Sequence, residues 1–220
     1  MNAGELIQHS KKFFFTHPDT ALYYAQQALE KSKEEGDSAL IARAYKMTGI
    51  AYNQIYNYKE SVAHFYEAIQ WFEQLQEKPQ VAQVQNNLAI VYRELGLYDK
   101  AASLHAKSLA YFKSIKDTVR IGQVYNNLGI VYEKIGDFEL ALEYYNKALL
   151  IASPKDTLTT ACLYLNKGII YDIKHQKEQA LAYFQQAIPL FQAIEDWVDL
   201  ASVYSEIASV YSSSNRATII

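Results

Sequence analysis

A spacing of about forty residues constrains this chain more than any other feature. Gly49, Ala89, Gly129, Gly168 and Ala208 follow one another at intervals of 40, 40, 39 and 40 residues. Three residues after each comes a tyrosine (Tyr52, Tyr92, Tyr132, Tyr171 and Tyr211), and one residue before each stand Thr48, Leu88, Leu128, Lys167 and Ile207. Residues three and four apart share one face of a helix, and only Lys167 is out of character on that face. Nine residues beyond the tyrosines lie Ser61, Ala101, Ala141 and Ala180, and seven further on Ala68, Ser108, Ala148 and Ala187, which mark the inner face of a second helix. A period near forty suits stacked helix pairs. The chain therefore reads as one body, 1–220, divided into units 1–36, 37–78, 79–117, 118–156 and 157–196 and a terminal half-unit 197–220.

The small residues have a geometric reason. Antiparallel helices packed about 8–10 Å apart leave no room for a long side chain where their axes come closest, so small is expected to meet small there. Phe65, Tyr145 and Phe184 would fill the wider gaps, and an aromatic content of 14% is read as core packing. Gly96 and Gly136 suit the left-handed residue that ends a helix. The turns at 56–58 and 174–176 must manage with Asn57 or His175 and are expected to be less regular. Asp37, Asp117, Asp156 and Asp196 recur just before first helices, where a short carboxylate accepts from free N–H groups. Pro79 suits a first helical turn, Pro154 a helix end, and Pro189, inside a second helix, implies a kink.

Small residue, tyrosine, then alanine and aromatic at fixed offsets resembles the tetratricopeptide repeat, over almost the whole chain. The family's ordinary repeat has about 34 residues; the extra length here is similar to the long repeats of bacterial signalling regulators, of sensor kinases and of kinesin light chains. The segment 17–37, with Ala21 and Ala28 in the small columns, reads as the second helix of an earlier unit. HEAT-type pairs share a period near forty but do not call for the small residue and tyrosine. The resemblance implies an all-α fold, a right-handed superhelical α-solenoid of antiparallel helix pairs. Ser202, Ser205, Ser209 and Ser212 would give the last helix the polar face of a cap. Retention of the columns to the end favours a fragment of a longer protein.

Composition and motifs exclude more than they assign. A net charge of −3 without long runs of one sign offers no footprint for nucleic acid or an anionic membrane. No apolar stretch approaches the roughly 18–20 residues of a membrane span. The single cysteine, Cys162, excludes an internal disulfide and leaves the compartment open, with the cytoplasm slightly favoured over an extracytoplasmic sensor region. None of the short nucleotide, metal or nucleophile signatures occurs, and no two of His9, His17, His64, His105 and His175 have a metal-ligating i, i+4 spacing. Neither enzyme activity nor a cofactor or metal is expected.

The remaining signal is a stripe on the first helices, two residues before and one after each small residue. In tetratricopeptide proteins this stripe lines the concave groove. It reads Arg43, Met47, Ile50; Gln83, Asn87, Ile90; Gln123, Asn127, Ile130; Cys162, Asn166, Ile169, and beside it run Lys46, Asn86, Asn126, Leu165 and then Asn53, Arg93, Glu133, Asp172. Amides at Asn87, Asn127 and Asn166 both donate and accept, which suits the backbone of an extended peptide. The candidate peptide-binding residues are thus Arg43, Gln83, Asn87, Ile90, Arg93, Gln123, Asn127, Ile130 and Asn166. The family's clamp for chaperone-tail carboxylates is not matched, because its basic members are missing from these columns. Two readings stay open: a peptide- or protein-binding scaffold in a bacterial signalling protein, and a structural array that oligomerises through exposed terminal repeats.

Overall fold

The computed structural model describes residues 1–14, 16–153 and 156–216. Eleven helices make up the regular structure among them. The unit Met1–Ile115 holds α1 (Ala3–Phe13), α2 (Pro18–Glu35), α3 (Ser38–Gln54), α4 (Tyr58–Gln74), α5 (Lys78–Glu94) and α6 (Tyr98–Ser114). The unit Lys116–Ile220 holds α7 (Thr118–Ile135), α8 (Phe138–Ile151), α9 (Thr157–Ile173), α10 (Lys177–Ala193) and α11 (Trp197–Arg216). The fold is an all-α array of tetratricopeptide-type helix pairs: α1 packs on α2, α3 on α4 and α5 on α6 in the first unit, α7 on α8 and α9 on α10 in the second.

Polar residues start these helices as the sequence implies. The side chains of Asp37, Asp117 and Asp156 accept from Leu40, Arg120 and Thr159 N–H groups, and Asp196 accepts from Asp199 at 3.1 Å. Asp137 does the same for α8.

The turns inside the pairs are more uniform than expected. In each, the N–H two residues before the next helix's second residue closes on a column tyrosine: Asn57 to Tyr52 O at 2.9 Å, Leu97 to Tyr92 O at 2.8 Å, Asp137 to Tyr132 O at 2.9 Å and Gln176 to Tyr171 O at 2.8 Å. The left-handed residue is Gly96 (φ 71°) or Gly136 (φ 90°), but equally Tyr56 (φ 61°) and His175 (φ 57°). Asn57 is not that residue; its side chain faces the Glu60 N–H at 3.5 Å and caps α4. A left-handed non-glycine residue costs about 1–2 kcal/mol, and the repeated turn hydrogen bonds offset it.

At the helix crossings, small does not simply meet small. A Cβ placed on Gly49 would lie 2.8 Å from the Phe65 ring, on Gly129 2.3 Å from Tyr145, and on Gly168 2.4 Å from Phe184. The aromatic rings expected in the wider gaps instead lie against the glycines. Ser61 and Ala68, Ala101 and Ser108, Ala141 and Ala148, and Ala180 and Ala187 are all buried. Ser61 Oγ also donates to Gly49 O at 2.8 Å.

Lys167, the misfit of the apolar column, is buried. Its Nζ donates to Asn146 Oδ1 at 2.8 Å and lies 4.1 Å from the centre of the Tyr183 ring; an amide oxygen and a π face replace water around the ammonium. Helix α10 runs unbroken through Pro189, where the missing N–H leaves the Gln185 carbonyl without its helical donor. Pro154 lies outside the described residues.

Candidate functional site

In each unit the odd-numbered helices touch one another: α1 with α3 and α3 with α5, α7 with α9 and α9 with α11. Among the described residues no two even-numbered helices do. Odd helices thus crowd along one side of each unit, and the proposed stripe lies on that side.

On α5 the residues Gln83, Asn87, Ile90 and Arg93 follow at offsets of four, three and three, one helical face, and all are half-buried. Arg43 on α3 is exposed, whereas Met47, read as part of the same stripe, is buried and belongs to the core. In the second unit Gln123 is exposed, and Asn127, Ile130 and Asn166 are half-buried. Among the described residues neither Asn87 nor Asn166 has a hydrogen-bond partner, while Asn127 has one.

Several charged side chains on and beside the stripe have hydrogen-bond partners. Arg93 Nε and Nη2 reach Glu94 Oε1 at 3.0 and 2.6 Å. Glu133 accepts from the Tyr145 hydroxyl at 2.8 Å. Lys46, beside the stripe but not counted in it, is a central residue: its Nζ donates to Gln80 Oε1 at 2.8 Å and Gln83 Oε1 at 3.0 Å, tying α3 to α5. Its position one residue before Met47 was the available signal. Its partners, on another helix, were not.

Burial holds Cys162 and His105 in their neutral forms. Burial, then the aspartates Asp199, Asp196 and Asp156, push the Cys162 thiol up to about 11, which removes the thiolate a nucleophile needs. Burial, with a smaller effect of Arg93, pulls His105 down to about 3, so its imidazole is neutral. Among the described residues no three His, Cys, Asp or Glu side chains gather as a metal-binding group. No helix among them is long and apolar enough to cross a membrane.

Helix pairs repeating at forty residues, with the odd helices of each unit in contact along one side of it, define an α-helical repeat scaffold. The tetratricopeptide repeat profile matches residues 57–114, 80–153 and 120–193, more than half of the chain, and the protein belongs to the tetratricopeptide repeat family. No curated protein matches it in sequence. Among solved structures it is similar to the apo form of the quorum sensor NprR from B. thuringiensis, with a TM-score of 0.78 and 17% identity over 97% of this chain and 60% of that one. The Rap conjugation gene regulator of plasmid pLS20, in complex with the Phr* peptide, superposes with a TM-score of 0.73 and 21% identity over 87% and 53% of the two chains. A Rap protein complexed with Competence and Sporulation Factor gives 0.70 and 16% over 96% and 64%. The chain thus spans between about half and two thirds of each of these proteins.

Proposed function

We propose that this protein is a non-catalytic scaffold whose odd-helix faces, one in each unit, bind extended peptide or protein segments, serving as the sensory or docking region of a bacterial signal-transduction protein. The observation that carries the reading is the unspent hydrogen-bonding capacity of those faces. The side chains of Asn87 and Asn166 are half-buried and have no internal partner among the described residues, so their donors and acceptors stay open to a ligand. A peptide backbone supplies both the donor and the acceptor such an amide lacks. Ile90 and Ile130 add apolar area beside the amides. That two of the similar structures contain a bound peptide or factor supports the same reading by analogy of fold.

The test is selection of random displayed dodecapeptides on the purified chain, followed by titration of a selected peptide into wild type and the Asn87→Ala/Asn166→Ala variant. A loss of at least about tenfold in affinity, with the melting temperature held, is expected. Failure to select any peptide, or equal binding by the variant, sinks the reading.

A second reading has its own observation. Ala201, Tyr204, Ala208 and Tyr211 on α11 are exposed, although the same column is buried at Gly49, Ala89, Gly129 and Gly168. Association of two copies through this face would appear as a concentration-dependent size on a sizing column, and Ala208→Glu would abolish it.

A further inference from the structure

Helix α11 touches α9 and α10 and buries Leu200, Val203 and Val210. A second stripe of it carries Ala201, Tyr204, Ala208 and Tyr211, three or four residues apart and all exposed. On α3, α5, α7 and α9 both small positions of this stripe are buried, as Ala42 and Gly49 are on α3 and Ala161 and Gly168 on α9. The second helix of each pair covers them with a fixed set of side chains. Helices α4, α8 and α10 each read small residue, two positions, two adjacent rings, two positions, small residue, over 61–68, 141–148 and 180–187. The first ring meets both tyrosines of the stripe. Between ring centres, Tyr144 lies 6.0 Å from Tyr125 and 5.4 Å from Tyr132, Tyr183 lies 6.3 Å from Tyr164 and 5.2 Å from Tyr171, and His64 lies 5.9 Å from Tyr45 and 5.0 Å from Tyr52. The second ring lies against the glycine. In the remaining pair both sides change together: α5 has Gln85 for the first tyrosine and Ala89 for the glycine, and α6 has Leu104 and the smaller ring of His105 in the two ring positions. On α11 the two tyrosines are 50% and 53% exposed. Lys177 Nζ lies 4.4 Å from the centre of the Tyr211 ring, and among the described residues neither tyrosine meets another ring.

We propose that this face of α11 docks one amphipathic helix of a partner protein, packed as the second helix of a sixth pair. The partner helix carries an octad of small residue, two positions, an aromatic ring, histidine, two positions, small residue. The aromatic ring enters between Tyr204 and Tyr211, as Tyr144 and Tyr183 do between their own pairs of tyrosines. Histidine follows it because Ala208 carries the methyl that Ala89 carries, and His105 stands at the position matching Ala89. Helix-in-groove burial of an apolar face supplies the affinity and the ring contacts add to it. A second copy of this chain does not suit the face. Its octads with two rings are those of α4, α8 and α10, whose small residues and second rings are buried, so a copy offers one only by opening its own pair. The site is independent of the peptide-binding reading, which concerns other residues.

The probe is a fluorescent synthetic helix of residues 137–152 carrying Tyr145→His. A lactam between Glu143 and Lys147, an i, i+4 ion pair in the protein, holds it helical, because a free peptide of this length is marginal in water. Its anisotropy should saturate on titration with the whole chain. Tyr204→Ser/Tyr211→Ser should weaken binding at least about tenfold, and Ala208→Glu should abolish it; these residues are exposed, so the variants keep their fold. The same probe with Tyr145 retained should bind wild type at least about fivefold more weakly, because a larger ring overpacks against the Ala208 methyl, and the order of the two probes should reverse in Ala208→Gly. No saturable binding of either probe, binding unchanged in Ala208→Glu, or one order of probes in wild type and Ala208→Gly alike overturns the proposal. So does a concentration-dependent size of the wild-type chain that Ala208→Glu removes and excess probe leaves unchanged, which makes a second copy the occupant. Asn87→Ala/Asn166→Ala should leave probe affinity as it is, and a loss there places the probe elsewhere and overturns the proposal. If no dodecapeptide is selected but the probe binds as described, the peptide-binding reading fails while the helix-docking site stands.

Discussion

The pairs α5–α6 and α7–α8 are written in nearly the same words, NNLAIVYRELG and NNLGIVYEKIG, yet they solve one packing problem with different atoms. On α7, Gly129 leaves room for the Tyr145 ring, whose carbons lie 2.3 and 2.5 Å from where a Cβ would be. The Tyr145 hydroxyl emerges to meet Glu133. On α5 the matching residue is Ala89, and the added methyl is balanced by a smaller ring at the matching position of α6, His105, fully buried. That ring brings a polar edge into the core. Its Nδ1 lies 2.9 Å from Asn86 Oδ1, and since a carbonyl oxygen only accepts, Nδ1 carries the proton. The corresponding Asn126 has its Oδ1 buried without a partner among the described residues. One pair has converted a repeated asparagine into a structural partner; the other has left it idle.

The comparison breaks most visibly at the glycine. Gly129→Ala should destabilise by about 2–3 kcal/mol, because overpacking against an immobile buried ring exceeds the roughly 1 kcal/mol that alanine gains in a helix. Adding Tyr145→His, which imports the α5–α6 solution, should recover part of that loss. In a double-mutant cycle the two changes are then coupled by at least about 1 kcal/mol. Urea unfolding followed by circular dichroism measures it, and additivity of the two changes would disprove the exchange of methyl for ring size.

His105 sharpens the comparison through pH. Its value in the folded chain, about 3, is below its ordinary 6.5, so the unfolded chain binds the extra proton first. Stability is whole above pH 6.5 and declines as pH falls toward 3, by up to about 1.4 kcal/mol per pH unit from this one group. Between pH 6.5 and 5.0 the loss should be about 1.6 kcal/mol larger in wild type than in Ala89→Gly/His105→Phe, where the titrating ring is gone. Equal acid sensitivity of the two proteins would show that His105 is not buried neutral.

The asparagines themselves give opposite signs. Asn86→Leu strips His105 Nδ1 of its acceptor and should cost about 1–3 kcal/mol. Asn126→Leu copies Leu165, the residue in the same column of α9, and removes a buried oxygen with no partner among the described residues, so it should be neutral or stabilising by up to about 1 kcal/mol. Chemical denaturation of the two variants side by side decides it.

Much of this was legible in the sequence, and the exceptions have a common cause. The forty-residue columns, the aspartate caps and the helix pairs follow from local periodicity and from groups within three residues of their partners. His175 was legible as the left-handed residue of its turn, but Tyr56, next to the expected Asn57, was not, because its geometry is imposed by the hydrogen bond that closes on the Tyr52 carbonyl, not by its own preference. Lys167 looked wrong for a core column because its acceptor, Asn146, lies 21 residues away.

The smallest expected effect lies one residue from one of the larger ones. Asn87 adjoins Asn86 in sequence, but it turns toward the odd-helix face and has no internal partner among the described residues. Asn87→Ala removes no hydrogen bond and replaces a poor helix former with the best, a gain of about 0.5 kcal/mol; stability should stay within about 0.5 kcal/mol of wild type. Neighbouring substitutions in one dipeptide would then differ by 1 kcal/mol or more, the difference between an amide committed to the core and one held open for a ligand. If Asn87→Ala instead costs as much as Asn86→Leu, the second asparagine is also a structural residue, and the face it belongs to loses its strongest claim to a peptide.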